Sequence, residues 1–191
     1  MRILALDSSG LTASVAVVED EQILFEYTMN YKKTHSQTLL PMLDEAVRMT
    51  GLSLGSVDAI AVAGGPGSFT GLRIGSATAK GLGLALDKPL IHVPTVDAMA
   101  YRMFGCSGLI CPIMDARRNQ VYTGIYRFEE KFETVKEQLA EDITVLAGML
   151  NELGERVVFL GDGVPVYREK IEETVKVPYV FAPPHMCRQS A

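Results

Sequence analysis

The sequence has no tryptophan, and it has only three cysteines and three histidines among its 191 residues. The cysteines, Cys106, Cys111 and Cys187, form no CxxC pair, so neither a disulfide framework nor a zinc site is indicated. We expect three reduced thiols. The histidines do not have the spacing of metal ligands, and we predict no metal site.

Long apolar runs and an excess of positive charge are also lacking. No run reaches the roughly eighteen apolar residues of a membrane-spanning helix, and the apolar start is too short for a signal peptide. The net charge of -5, from 18 basic and 23 acidic residues, argues against a protein that binds nucleic acid alone. At 48% hydrophobic residues the chain is expected to fold, in the cytoplasm, with no membrane contact.

The order of apolar segments predicts an α/β protein built from two similar halves. In each half a group of strands is followed by helices that alternate with further strands, which is typical of a mixed sheet flanked by helices. The stretch Gly105 to Gly108 is the expected boundary, so the predicted domains are residues 1–105 and 106–191. The last seven residues resemble the start of a helix, and the second domain is expected to lack its final helix.

A glycine-rich segment from Gly64 to Gly75 separates a predicted strand from a helix predicted over Phe69 to Leu86. It is not a Walker A loop, because its spacing is one residue short and no lysine follows. Two interpretations stay open: the backbone N–H groups hold an anion, or a hydroxyl side chain simply caps the helix. The candidate anion-binding residues here are Gly65, Gly67, Ser68 and Thr70.

Two turns occupy equivalent positions in the halves, and each begins with an aspartate that ends a strand. In a two-lobed nucleotide-binding protein such turns hold metal and phosphate, so Asp7, Ser8 and Ser9 are further candidates. The second turn carries Arg117 and Arg118, which either reach an anionic ligand or pair with carboxylates of the same chain. Their bulk would fill the space that a nucleotide tail needs, which argues against kinase chemistry.

Two predicted helices of the first half carry unusual residues. One has methionines seven positions apart; the other has small residues every fourth position, although an interior glycine costs about 1 kcal/mol relative to alanine. Close packing must offset that cost, either inside the lobe or against another subunit. The candidate partner-binding residues are Leu39, Met42, Leu43, Ala46, Met49, Gly71, Arg73, Gly75, Ala79 and Gly83.

Nucleophilic catalysis has little support in the sequence. His35 and Ser36 would make a hydrolytic dyad, but no GxSxG elbow and no third orienting group accompany them. We therefore predict no catalytic residue.

Several segments together resemble the TsaB (YeaZ) family of bacterial tRNA threonylcarbamoyladenosine biosynthesis proteins. The resemblance covers essentially the whole chain, and the run from Gly65 to Gly75 is its most specific part. The matching segments are residues 3–9, 35–41, 64–75, 114–118 with Val121 and Tyr122, and 161–163.

This resemblance implies two RNase H-like lobes of the actin/Hsp70-like superfamily. It also implies a subunit without catalysis of its own, which helps TsaD and TsaE to place threonylcarbamoyl on N6 of adenosine 37 in tRNAs that read ANN codons. ATP and metal are then expected on the partner subunits, and tRNA contact only through the complex. The sequence leaves open whether the chain alone is a monomer or a homodimer. The alternatives are a stand-alone ATPase or kinase of the same superfamily and a glycoprotease-like peptidase.

Overall fold

A computed structural model of the chain describes residues 1–31 and 34–191. It contains two compact units. The first unit comprises Met1–Thr95 together with Gln189–Ala191, and the second comprises Val96–Arg188.

The first unit is a five-stranded mixed sheet with two helices on one of its faces. Its strands are β1 (Arg2–Asp7), β2 (Ala13–Glu19), β3 (Gln22–Met29), β4 (Ala59–Gly65) and β5 (Leu90–Pro94). The helices are α1 (His35–Thr50) and α2 (Phe69–Leu86), with a 3-10 turn at Leu54–Ser56. The strand order is β3-β2-β1-β4-β5, antiparallel for the first two pairings and parallel for the last two.

Local sequence signals set the ends of these helices. Gly51 takes the left-handed conformation that ends α1, and the Ser68 side chain accepts a hydrogen bond from the Gly71 N–H, 3.3 Å away, at the start of α2. Both helices pack on the same face of the sheet, where Leu4, Leu6 and Val15 form the centre of a buried cluster. The predicted span of α2 matches the observed one at both ends.

The second unit repeats this plan. Its strands are β6 (Cys106–Arg117), β7 (Gln120–Phe128), β8 (Phe132–Asp142), β9 (Val157–Leu160) and β10 (Tyr179–Phe181). Its helices are α3 (Thr95–Tyr101, whose first residue belongs to the first unit), α4 (Ile143–Leu153) and α5 (Val164–Thr174), and a 3-10 turn covers Pro184–Met186. Read from β8, the strand order β8-β7-β6-β9-β10 corresponds strand by strand to β3-β2-β1-β4-β5 of the first sheet. The predicted duplicated α/β lobe is confirmed.

The boundary between the units differs from the prediction. It falls at Thr95, about ten residues before Gly105, because the apolar residues of α3 pack into the second unit. Val96, Met99 and Ala100 share a buried cluster with residues of β6 and β7. A turn signal marks where the chain bends, but the unit to which a short helix belongs depends on tertiary packing.

All three cysteines are free, and burial raises the pKa of the Cys111 thiol to about 12. None of the helices in the described part of the chain is long and apolar enough to cross a bilayer.

Candidate functional site

The turn after β1 is a buried polar cluster. The Asp7 side chain is only 6% exposed, and its Oδ1 accepts hydrogen bonds from the Ser9 N–H and the Ser9 hydroxyl, both at 2.7 Å. The Ser8 hydroxyl donates to the Gly71 carbonyl at 2.9 Å. Burial raises the pKa of Asp7 even though the Ser9 hydrogen bonds and His35 favour its charged form. The hydroxyl groups of Ser8 and Ser9 are therefore both bonded within the protein.

The glycine-rich loop closes directly onto this turn. The Ser68 N–H donates to the Ser9 carbonyl at 2.7 Å. A Cβ atom added at Gly67 would lie 2.2 Å from the Ser9 oxygen, and one at Gly71 would lie 2.0 Å from the Ser8 oxygen. Side chains at these glycines would thus collide with backbone. The glycines therefore let two backbone segments touch.

These contacts support the second interpretation of the loop, in which a hydroxyl side chain caps the helix. Ser68 forms the helix cap, which is the second interpretation, and its N–H is already bonded to Ser9. Gly65 is buried with φ of +106°, a conformation that favours glycine, and Thr70 is exposed. Anion binding by the residues of this loop stays a prediction without a geometric basis in the first unit.

His35 links three elements of the first unit. Its Nε2 lies 2.9 Å from the Gly10 carbonyl oxygen, so this nitrogen donates, and its ring lies 3.3 Å from the position of a Cβ at Gly71. The Ser36 hydroxyl instead contacts the Thr34 hydroxyl at 3.1 Å. The geometry thus joins His35 to the turn and to α2, and it does not assemble the His35–Ser36 dyad of the peptidase alternative.

The equivalent turn of the second unit is a tight hairpin. Arg117, Arg118 and Asn119 have φ values of +67°, +53° and +65°, the left-handed region that side chains other than asparagine rarely adopt. The Asp115 Oδ1 accepts from the Arg117 N–H at 2.8 Å and from the Tyr167 hydroxyl at 2.7 Å. Burial, helped by Asp115, raises the pKa of Tyr167 to about 12.

Both arginines of this hairpin are exposed, and among the described residues neither guanidinium forms an ion pair. The predicted pairing with carboxylates of the same chain is therefore not observed. A contact between Arg117 or Arg118 and an anionic ligand stays a prediction.

A second glycine turn closes onto β6 in the same way. The Gly163 N–H donates to the Ile113 carbonyl at 3.0 Å, and a Cβ at Gly161 would lie 2.2 Å from the same oxygen. Burial raises the pKa of Asp162, while backbone N–H groups that include that of Asp115 favour its charged form. Each unit thus uses its glycine turn to bring a helix start against the end of its first strand.

Most of the predicted partner-binding residues are in the core, which corrects their assignment to a surface. The stripe on α2 faces its own sheet: a Cβ at Gly75 would lie 2.5 Å from the Ser8 hydroxyl, and one at Gly83 would lie 2.8 Å from Leu90. Packing inside the lobe is therefore what offsets the helical cost of these glycines. The buried residues are Leu39, Met42, Leu43 and Ala46 on α1, and Gly71, Gly75, Ala79 and Gly83 on α2.

Two predicted partner-binding residues are exposed, and larger apolar side chains accompany them. Met49 is 62% exposed, and Arg73 stacks on the Phe69 ring with its Cζ 3.8 Å from the ring centroid. Phe69 is 68% exposed and Leu84 is 88% exposed. We call the exposed residues Leu40, Phe69, Arg73, Ala77 and Leu84 the outer helix face.

The outer helix face was not predicted, because the partner surface was placed on the small-residue stripe, which lies on the opposite side of α2. A signal for it exists in the sequence: Phe69, Arg73, Ala77 and Leu84 follow helical spacing about half a turn away from Gly75. Large apolar residues on the side of a helix that faces away from its sheet are typical of a contact surface.

Two lobes with the same five-stranded order, and with an aspartate in the last three residues of each first strand, define a protein of the actin/Hsp70-like class. Among the described residues no three His, Cys, Asp or Glu side chains are grouped as metal ligands would be.

Comparisons with known proteins place the chain within this class. Residues 22–188 match the family model described as TsaD, tRNA N6-adenosine threonylcarbamoyltransferase. A Bacillus subtilis protein named tRNA threonylcarbamoyladenosine biosynthesis protein TsaB is 35% identical over 92% of this chain and 77% of the relative. The Escherichia coli protein of the same name is 38% identical over 68% of this chain and 57% of that relative. The chain belongs to the TsaB family.

A solved structure agrees with this assignment. YeaZ from Pseudomonas aeruginosa superimposes with a TM-score of 0.77 and 26% identity, over 94% of this chain and 87% of that one. The predicted fold class and family are thereby confirmed.

Proposed function

We propose that this chain is a non-catalytic subunit for threonylcarbamoyl transfer to N6 of adenosine 37 in tRNAs that read ANN codons. It acts with TsaD and TsaE, and its partners supply the chemistry. Family membership supports the pathway, because the Bacillus subtilis and Escherichia coli relatives carry its name.

The observation that carries the non-catalytic role is the closure of the glycine loop onto the Asp7 turn. An active member of a nucleotide-binding class needs free N–H groups and open space at this turn for phosphate. Here the Ser68 N–H is bonded to Ser9, and the Gly67 and Gly71 backbones touch the turn itself. ATP and metal are accordingly assigned to the partner subunits.

The outer helix face is the surface proposed to bind TsaD. Phe69 and Leu84 are large apolar side chains that the lobe itself leaves exposed, and Arg73 adds a guanidinium held over an aromatic ring. Aromatic residues and arginine are enriched where binding energy concentrates in protein interfaces. With a net charge of -5, the chain is expected to reach tRNA only through this complex.

The experiment is incorporation of labelled threonine into an ANN-decoding tRNA by TsaD, TsaE, ATP and the enzyme that forms threonylcarbamoyl-adenylate. We expect incorporation to require this chain, and the chain alone to show none. The Bacillus subtilis relative in its place serves as the positive control. Equal incorporation without either protein would overturn the proposal.

A further inference from the structure

The hairpin between β6 and β7 extends past the point where the second unit closes its glycine turn. The Gly163 N–H donates to the Ile113 carbonyl, whereas β6 continues to Arg117. In the first unit, by contrast, the glycine loop closes onto the turn itself. Arg117, Arg118 and Asn119 are all exposed. We call these three residues the arginine hairpin.

The backbone of the arginine hairpin has a conformation that arginine disfavours. The φ values of Arg117, Arg118 and Asn119 are all positive, between +53° and +67°. Hairpin turns whose central residues have positive φ normally carry asparagine or glycine. This chain instead has a long charged side chain at two of the three positions. Strain of this kind is concentrated at functional sites, so the two arginine side chains are candidates for a function.

Hydrogen bonds from the rest of the second unit fix the hairpin in place. The Asp115 Oδ1 accepts from the Arg117 N–H at 2.8 Å and from the Tyr167 hydroxyl at 2.7 Å. The Asn119 carbonyl accepts from the Ile143 N–H at 3.0 Å. A fixed backbone reduces the conformational entropy that is lost when the arginine side chains bind a ligand.

Both guanidinium groups are available to a ligand. Within residues 1–31 and 34–191 neither has an ion pair or a hydrogen bond, although the chain has 23 acidic and only 18 basic residues. Carboxylates next to the hairpin have other partners: Asp142, opposite Gln120, accepts from the N–H and the hydroxyl of Thr144 at 2.8 and 2.6 Å. Guanidinium groups match the oxygen atoms of phosphate, so the hairpin has the chemistry of a phosphate site.

We propose that the arginine hairpin binds backbone phosphates of tRNA when this chain is in complex with TsaD. The inference rests on the proposed function, which brings tRNA to that complex. Two arginines on a chain of net charge -5 are too few to hold RNA alone, so their contact adds to the binding by the partner. An exposed hairpin suits the backbone of a large polyanion better than a free nucleotide, which needs an enclosing pocket.

The test is the binding of a labelled ANN-decoding tRNA to the complex with TsaD, followed by anisotropy between about 50 and 200 mM salt. The asparagine variant, Arg117→Asn/Arg118→Asn, removes both charges and suits the left-handed backbone, so it should be at least as stable in urea as the wild type. It should weaken binding about tenfold or more, and the slope of log Kd against log salt should fall by about 1.4 to 1.8, the value for two phosphate contacts. Arg117→Lys/Arg118→Lys keeps the charges and should keep most of the slope.

Arg168→Ala provides the matched control, because it removes the same charge from an arginine of the second unit that already pairs with Glu172 and stacks on Phe181. It should bind tRNA as the wild type does, and an equal loss in Arg168→Ala and the asparagine variant would overturn the proposal.

Three further outcomes separate this inference from the proposed function. Equal affinity and equal slope for the wild type and the asparagine variant would overturn the inference and leave the proposed function standing. A wild-type complex that does not bind tRNA would overturn both. Micromolar binding of pyrophosphate to the isolated chain, lost in the asparagine variant, would show a site for a small phosphate compound and would also overturn the inference.

Discussion

Gly75 and Gly81 lie in the same helix, but the structure gives them opposite surroundings. A Cβ at Gly75 would lie 2.5 Å from the Ser8 hydroxyl and 3.6 Å from Val62, whereas a Cβ at Gly81 meets nothing within 4 Å. Helix propensity favours alanine over glycine by about 1 kcal/mol at either site. Gly81→Ala should therefore raise the free energy of unfolding by about 1 kcal/mol.

Gly75→Ala should have the opposite effect. The new methyl group displaces the Ser8 hydroxyl from its 2.9 Å hydrogen bond to Gly71, at a cost of about 1 kcal/mol, and the crowding of a packed core costs about 1–3 kcal/mol. After the gain in helix propensity, the net loss is about 1–3 kcal/mol. Gly75→Leu adds more volume at the same place and should destabilise the lobe itself, so it is unsuitable as a probe of partner binding.

Urea denaturation followed by circular dichroism measures both changes. The Ser8 Cβ lies 3.9 Å from the position of the added atom, so Ser8→Ala should relieve the clash. The double variant Ser8→Ala/Gly75→Ala should then be more stable than the sum of the two single changes predicts. If Gly75→Ala stabilises the protein as much as Gly81→Ala does, the inward orientation of the stripe is refuted.

Three further predictions concern the surface and the turn. Leu84→Arg should weaken pairing with TsaD about tenfold or more, because burying one leucine contributes about 1.5–3 kcal/mol. Val166→Arg places the same charge at an exposed apolar position of the second unit and should leave the affinity unchanged; calorimetric titration measures both. Because burial raises the pKa of Asp7, the free energy of unfolding should fall as the pH rises from about 4 through the folded-state pKa of Asp7. Asp7→Asn should remove this pH dependence, which is measured from urea denaturation midpoints at a series of pH values. Calorimetry on the isolated chain should show no micromolar affinity for ATP, and such affinity would contradict the closed turn.

The sequence was a good guide wherever local signals act alone. Ser68 and the residues after it mark the start of α2, and Gly51 marks the end of α1. The repeated order of strands and helices was enough to predict two similar lobes.

What the sequence did not reveal depends on contacts between distant residues. A stripe of small residues shows that a backbone approaches α2 closely, but not which one; the answer, the Ser8 and Ser9 turn, is about sixty residues away. Because the stripe was assigned to a partner, the exposed Phe69 and Leu84 on the other side of the helix were missed. The sequence could not reveal the closed turn for the same reason, since loops that hold a phosphate and loops that pack against a strand are both rich in glycine.

The central claim is that this chain acts through its outer helix face and not through a nucleotide at the Asp7 turn. The most direct measurement is threonine incorporation into tRNA with wild-type chain, Asp7→Asn and Leu84→Arg, each titrated against a fixed amount of TsaD and TsaE. We predict near wild-type incorporation with Asp7→Asn, and with Leu84→Arg a loss that excess protein restores. Loss of incorporation with Asp7→Asn, together with an unchanged titration for Leu84→Arg, would contradict the claim.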